Sequence, residues 1–199
     1  MEAAQIRQQE MPSAETVARF FVRLASQGEP VPLTPMHVQK LLYYAQGWHL
    51  GTRGQPLFPD DIQAWRFGPV VPAVYDVFKP FARRAIPPEE GRSGDDLRPE
   101  LGVFLKAIWK KYRRHSAAAL VSMTHREPPW KNAWGQRDKS DRSRELMSPR
   151  ALDNYFRPLY AAHCRALGVD PTEFAESLDQ AARGEVVDLM VVKPKPAGP

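Results

Sequence analysis

The stretch Val38-Gln39-Lys40-Leu41-Leu42-Tyr43-Tyr44-Ala45-Gln46-Gly47-Trp48-His49-Leu50 decides the fold class. Val38, Leu41, Leu42, Ala45 and Trp48 recur at the three- and four-residue spacing of one helical face. Tyr43 and Tyr44 fall off that face, so the helix needs neighbours on more than one side. Thr34 before Pro35 supplies an N-cap and a proline at the first helical position, and Gly51 marks the expected end. A helix that must be covered on several sides belongs at the centre of a helical domain.

Working outward, Ser13 caps a preceding helix with the stripe Val17, Phe20, Phe21 and Leu24, expected to end at Gly28. On the other side, residues 54–61 are turn-rich and residues 62–67 have the content of a short strand, expected to form a hairpin with residues 56–58. Gly68 and Pro69 should break that strand in a tight turn, and Pro72 opens a short helix that Pro80 limits. Residues 83–96 lack any period and read as a mobile surface loop.

The clearest amphipathic helix carries Leu101, Phe104, Leu105, Ile108, Trp109 and Tyr112 at offsets 0, 3, 4, 7, 8 and 11. Ser116 caps a short helix, residues 124–134 read as a packed loop or turn of helix, and residues 135–144 as a charged loop. Ser148 and Pro149 open a helix that Pro158 should kink, and Asp170, Pro171 and Glu173 start a last helix running to Gly184. Residues 186–192 could form a strand before an extended Pro-rich end. The expected fold is mainly α, a compact multi-helix domain with a small β-hairpin as its minor β component.

The 199 residues carry a net charge of +5, concentrated in residues 98–150, where 13 Lys or Arg face 5 Asp or Glu. A segment of local charge +8 suits phosphates or an acidic protein surface and makes a nucleic-acid-binding regulator the alternative function. It lacks the interleaved aromatics of base-stacking sites, so a solvated helix face is the stronger expectation and nucleic acid a disfavoured partner. One cysteine, Cys164, allows no internal disulfide; the first twenty residues hold no apolar signal run and no stretch has the length of a membrane span. The expectation is a cytoplasmic protein without membrane contact.

Enzyme signatures are missing. No Gly-x-Ser-x-Gly elbow or phosphate-cradling Gly-x-x-x-x-Gly-Lys loop occurs, and the pairs Asp60/Asp61 and Asp95/Asp96 sit in turns where aspartate solvates or caps. His163 and Cys164 are adjacent and point about 100° apart on a helix, while His37 and His49 are too far apart to chelate together. No catalytic residue, cofactor or metal is expected. What remains is binding. Lys40, Tyr43, Tyr44, Trp48 and Trp65 place aromatic area and a charge near the Gly68-Pro69 turn, the kinds of group that anchor interfaces, although aromatics at such spacings also build cores.

Three blocks together resemble the SocA-like antitoxins that share the Panacea domain, a family that includes phage-associated proteins of the GepA type. They are the central helix over residues 38–50, the run Pro56-Leu57-Phe58 with Asp61-Ile62-Gln63-Ala64-Trp65-Arg66-Phe67-Gly68-Pro69-Val70-Val71-Pro72-Ala73-Val74-Tyr75, and Thr124-His125 with Pro129-Trp130 leading to Tyr155-Phe156. The resemblance implies an antitoxin that neutralises a cognate protein toxin by direct contact and, in the SocA branch, delivers it to the ClpXP protease. It divides the chain into a flexible N-terminus (1–13), a Panacea-like helical domain (14–160) and a C-terminal helix and tail (161–199). Candidate partner contacts are Lys40, Tyr43, Tyr44, Trp48, Trp65, Phe67, Gly68, Pro69, Val70, His125 and Trp130. His125 also reads as a loop hydrogen-bonding group and Trp130 as a core plug.

Overall fold

A computed structural model describes residues 11–27, 30–91, 97–138 and 143–181. Helix α1 (Ala14–Ser26) starts where Ser13 Oγ accepts from Thr16 N–H at 3.1 Å, and Asp60 reaches back to accept from Ala14 N–H at 2.8 Å. The helix ends before Gly28, which lies outside the described residues.

Helix α2 (Pro35–Arg53) is buried on nearly every side, as its all-round apolar content requires. It does not stop at Gly51; it continues for two residues to Arg53, with Gly54 as its C-cap at φ +69°. Gly51 has a packing role instead: a Cβ there would lie 2.8 Å from the Phe156 carbonyl carbon, so only glycine lets helix α7 (Pro149–Leu167) pass this close. Phe156 fills the seam between them, with edge contacts to Tyr43 and Trp48 at ring separations of 5.7 and 5.4 Å.

The hairpin differs from expectation. Strand β1 (Gln63–Trp65) pairs antiparallel with β2 (Gly68–Val70), not with residues 56–58, and a third strand β3 (Glu145–Leu146) pairs on the other side to give the order β2-β1-β3. Gln63 lies opposite Val70 and Leu146, and Trp65 lies opposite Gly68. The pair Gly68-Pro69 therefore continues the sheet. In an antiparallel ladder, alternate residues turn their backbone groups away from the partner strand, and Pro69, whose carbonyl is taken by a helix side chain, sits on an edge strand where its missing N–H breaks no ladder. Residues 56–58 are held instead by α2: Gln46 Oε1 accepts from Leu57 N–H at 2.7 Å, and its amide donates to Phe58 O at 3.0 Å.

Helix α3 (Pro72–Phe78) runs into a 3₁₀ turn at Lys79–Phe81 containing Pro80. Residues 83–91 are docked rather than loose. Ile86 is buried and donates its N–H to Leu33 O, and the 3₁₀ turn Pro88–Gly91 packs on α1, where Arg19 binds Glu90 at 3.0 Å. The remainder of that expected loop, 92–96, lies outside the described residues.

Helix α4 (Pro99–Tyr112) buries all six residues of its predicted stripe. Ser116 caps α5 (Ala117–Arg126), which continues through Thr124, and α6 (Pro128–Trp134) decides between loop and turn of helix over 124–134 in favour of helix. Pro128 is tolerated at the first position of α6 because a helix N-terminus needs no N–H there. Ser148 caps α7, which runs through Pro158, and Asp170 caps α8 (Pro171–Ala181) by accepting from Thr172 N–H at 2.8 Å. The expected helix end at Gly184, the strand at 186–192 and the extended tail lie outside the described residues. The chain is thus mainly α with one small antiparallel sheet. Among the described residues no helix is long and apolar enough to cross a membrane.

Candidate functional site

Helix α2 carries four polar side chains into the interior: Gln39, Lys40, Gln46 and His49. A buried polar group is costly unless it is hydrogen-bonded, and each of these binds loop or strand backbone. Gln39 Oε1 accepts from Val71 N–H at 2.7 Å, and His49 Nδ1 lies 2.7 Å from Gln55 O. Lys40 is 1% exposed and donates to Pro69 O at 2.8 Å. Burial pushes its amine down to about 7.

Gly68 stands where three elements meet. Its φ of +95° lies in the region that favours glycine, and an added Cβ would be 2.8 Å from both Lys40 Cε and Thr124 Oγ1. From the opposite side, Trp130 Nε1 donates to Trp65 O at 3.0 Å, and its ring stacks on His125 at 3.9 Å. The base of the hairpin is therefore gripped by α2, α5 and α6 together.

Beneath it, Glu127 at the α5–α6 junction points inward. Tyr43 donates its hydroxyl to Glu127 Oε2 at 2.7 Å, and Tyr44 donates to Oε1 at 2.9 Å. Burial raises the Glu127 carboxyl above its ordinary value, opposed by these two hydrogen bonds and by Arg126. Burial and the Glu127 charge push both phenols up, so they remain donors. Tyr44 stacks on Tyr112 at 4.0 Å, and Trp48 Nε1 donates to the Tyr112 hydroxyl at 2.8 Å.

The predicted contact residues thus separate into three groups. Lys40, Tyr43 and Tyr44 are enclosed, as are Gly68, Pro69, Val70 and Trp130; they hold the hairpin from within. Trp48 faces α4 and α7, away from the hairpin. The surface is supplied by the tip: Phe67 is 55% exposed, with the Arg66 guanidinium 5.2 Å from its ring centre, and half-buried Trp65 meets Tyr75, 39% exposed, at 5.0 Å. His125 is half-buried beside Trp130.

Gln39, Gln46, His49, Thr124 and Glu127 were not among the predicted site residues. Polar residues inside a helix with no free face were the available signal for the first three. Glu127, 84 residues from Tyr43, has no local signal. Among the described residues no cluster of His, Cys, Asp or Glu could hold a metal ion, and Cys164 is a buried thiol that burial pushes up, which keeps it protonated.

The helical core, its buried polar groups hydrogen-bonded, thus holds a short hairpin whose turn residues Arg66 and Phe67 are exposed. Residues 38–131, a little under half of the chain, match the family described as antitoxin SocA-like, Panacea domain. Over 48 residues the chain is 46% identical to the antitoxin SocA of Caulobacter vibrioides (strain NA1000 / CB15N); that stretch covers 24% of this chain and 26% of the relative, so the match spans about a quarter of that protein's length. No solved structure matches. Residues 38–131 thus carry a likeness to the SocA-like Panacea domain.

Proposed function

We propose that the protein is the antitoxin of a toxin–antitoxin pair and neutralises a cognate protein toxin by direct contact in the cytoplasm. The observation that carries this reading is the hairpin of the Panacea segment: its base is fixed by buried side chains while its tip leaves Arg66 and Phe67 to solvent. Aromatic and arginine groups on a rigid support bind with little ordering cost, which is how a few residues come to dominate an interface. Trp65 and Tyr75 continue the patch.

The likeness to SocA extends the proposal to a second step, in which the bound toxin passes to the ClpXP protease. The two steps separate experimentally. Co-expression with the product of the neighbouring reading frame should restore growth, and Phe67→Ala should weaken the purified complex about tenfold or more while leaving the melting temperature within about 2 °C. A toxin that kills equally well with and without this protein would sink the reading. Delivery predicts a toxin half-life that shortens only when this protein and active ClpXP are both present; unchanged turnover with full neutralisation leaves sequestration alone.

A further inference from the structure

Away from the hairpin, α2, α4, α7 and α8 line a half-open cavity of about 380 Å³. Its wall is almost wholly apolar, formed by Trp48, Phe104, Ile108 and Phe174 among others, and among the described residues no carboxylate lines it. Two nitrogen groups stand in that wall. The Lys111 ammonium lies 5.5 Å from the Trp48 ring centre and 5.9 Å from that of Tyr112, and no carboxylate among the described residues is within ion-pair distance. Among the described residues, His163 Nε2 is buried without a hydrogen-bond partner. Burial and the charge of Lys111 together hold this imidazole below its ordinary value.

An apolar pocket with a few convergent polar groups is the usual form of a small-molecule site. Here one group is a cation and the other a neutral imidazole whose Nε2–H tautomer can donate a hydrogen bond. An anion placed between them would pair with Lys111 and give His163 its missing partner, while the apolar walls would take a hydrocarbon body. We propose that this cavity binds a small carboxylate with an apolar tail. Trp48, Phe104, Ile108 and Lys111 come from the Panacea segment, whereas His163 and Phe174 come from α7 and α8 beyond it. The site is therefore shared between the matched segment and the helices that follow it, and it does not depend on the antitoxin reading.

The test uses the full chain and two probes, octanoate and octanol, followed by NMR at the Trp48 indole and the His163 ring. Octanoate should shift both signals saturably, and octanol should bind at least tenfold more weakly. Lys111→Gln, an exposed position, should cost octanoate tenfold and leave octanol unchanged. Ala107→Leu, which fills the cavity, should abolish both; if that variant unfolds, the Lys111 comparison decides alone. Equal binding of the two probes, indifference to Lys111→Gln, or no saturable shift at either ring would overturn the proposal.

Discussion

The seam between α2 and α7 and the seam between α7 and α8 are built from similar side chains and differ in how they are filled. At the first, Gly47 and Gly51 bring two backbones together over Phe156, and elsewhere on α2 the buried Gln39, Lys40 and Gln46 are all hydrogen-bonded to loop or strand backbone. At the second, Tyr160, Cys164 and Phe174 form a separate small cluster beside a cavity, and His163 Nε2 lacks a partner among the described residues. Dense packing with satisfied polar groups fixes one geometry, whereas residual space and an unmatched nitrogen leave room for something else. Residues 38–131 supply α2 to the first seam, whereas α7 and α8 both lie beyond that segment, so the contrast comes from what α8 adds.

Truncating the aromatic plug of each seam puts that contrast to its hardest test. Phe156→Ala should destabilise the protein by about 4 kcal/mol in urea unfolding, because the ring is 1% exposed and glycines on α2 were shaped around it. A loss below about 2 kcal/mol would mean that α2 and α7 can collapse onto the void.

Lys40 sharpens the same comparison through pH. Its buried amine sits at about 7 against an ordinary 10.5, so on acidification the unfolded chain takes up a proton first. Stability is then fully present above pH 10.5 and is lost as pH falls to about 7, by on the order of 4 kcal/mol. Lys40→Met should remove that slope. Parallel pH profiles for the two proteins would show that the amine stays hydrated.

Phe174→Ala is expected to have the smallest effect, about 2 kcal/mol, since the ring already borders empty space and part of its packing is absent from the start. A cost equal to that of Phe156→Ala would erase the distinction between the seams.

Much of the fold was legible because helix starts are local chemistry. Ser13, Thr34-Pro35, Ser116, Ser148-Pro149 and Asp170 each opened a helix where expected. What escaped was decided by distant partners. Gly68-Pro69 looks like a strand breaker until Lys40 takes the Pro69 carbonyl, and residues 83–91 look loose until Ile86 finds Leu33. For the candidate site, the sequence could name side chains but not their orientation. Periodicity cannot say which way Tyr43 and Tyr44 point on a helix buried all round, and it is blind to Glu127, which receives both hydroxyls.

The grip on the hairpin base has a consequence for how such a protein could change its target. Anchorage comes from side chains of α2, α5 and α6, so the two residues of the turn, Arg66 and Phe67, which the proposed reading makes contact residues, do not hold the scaffold up. They can be exchanged for others at little risk to folding. Specificity is thereby uncoupled from foldability, and a new ligand could be met by rewriting a dipeptide rather than by rebuilding a domain.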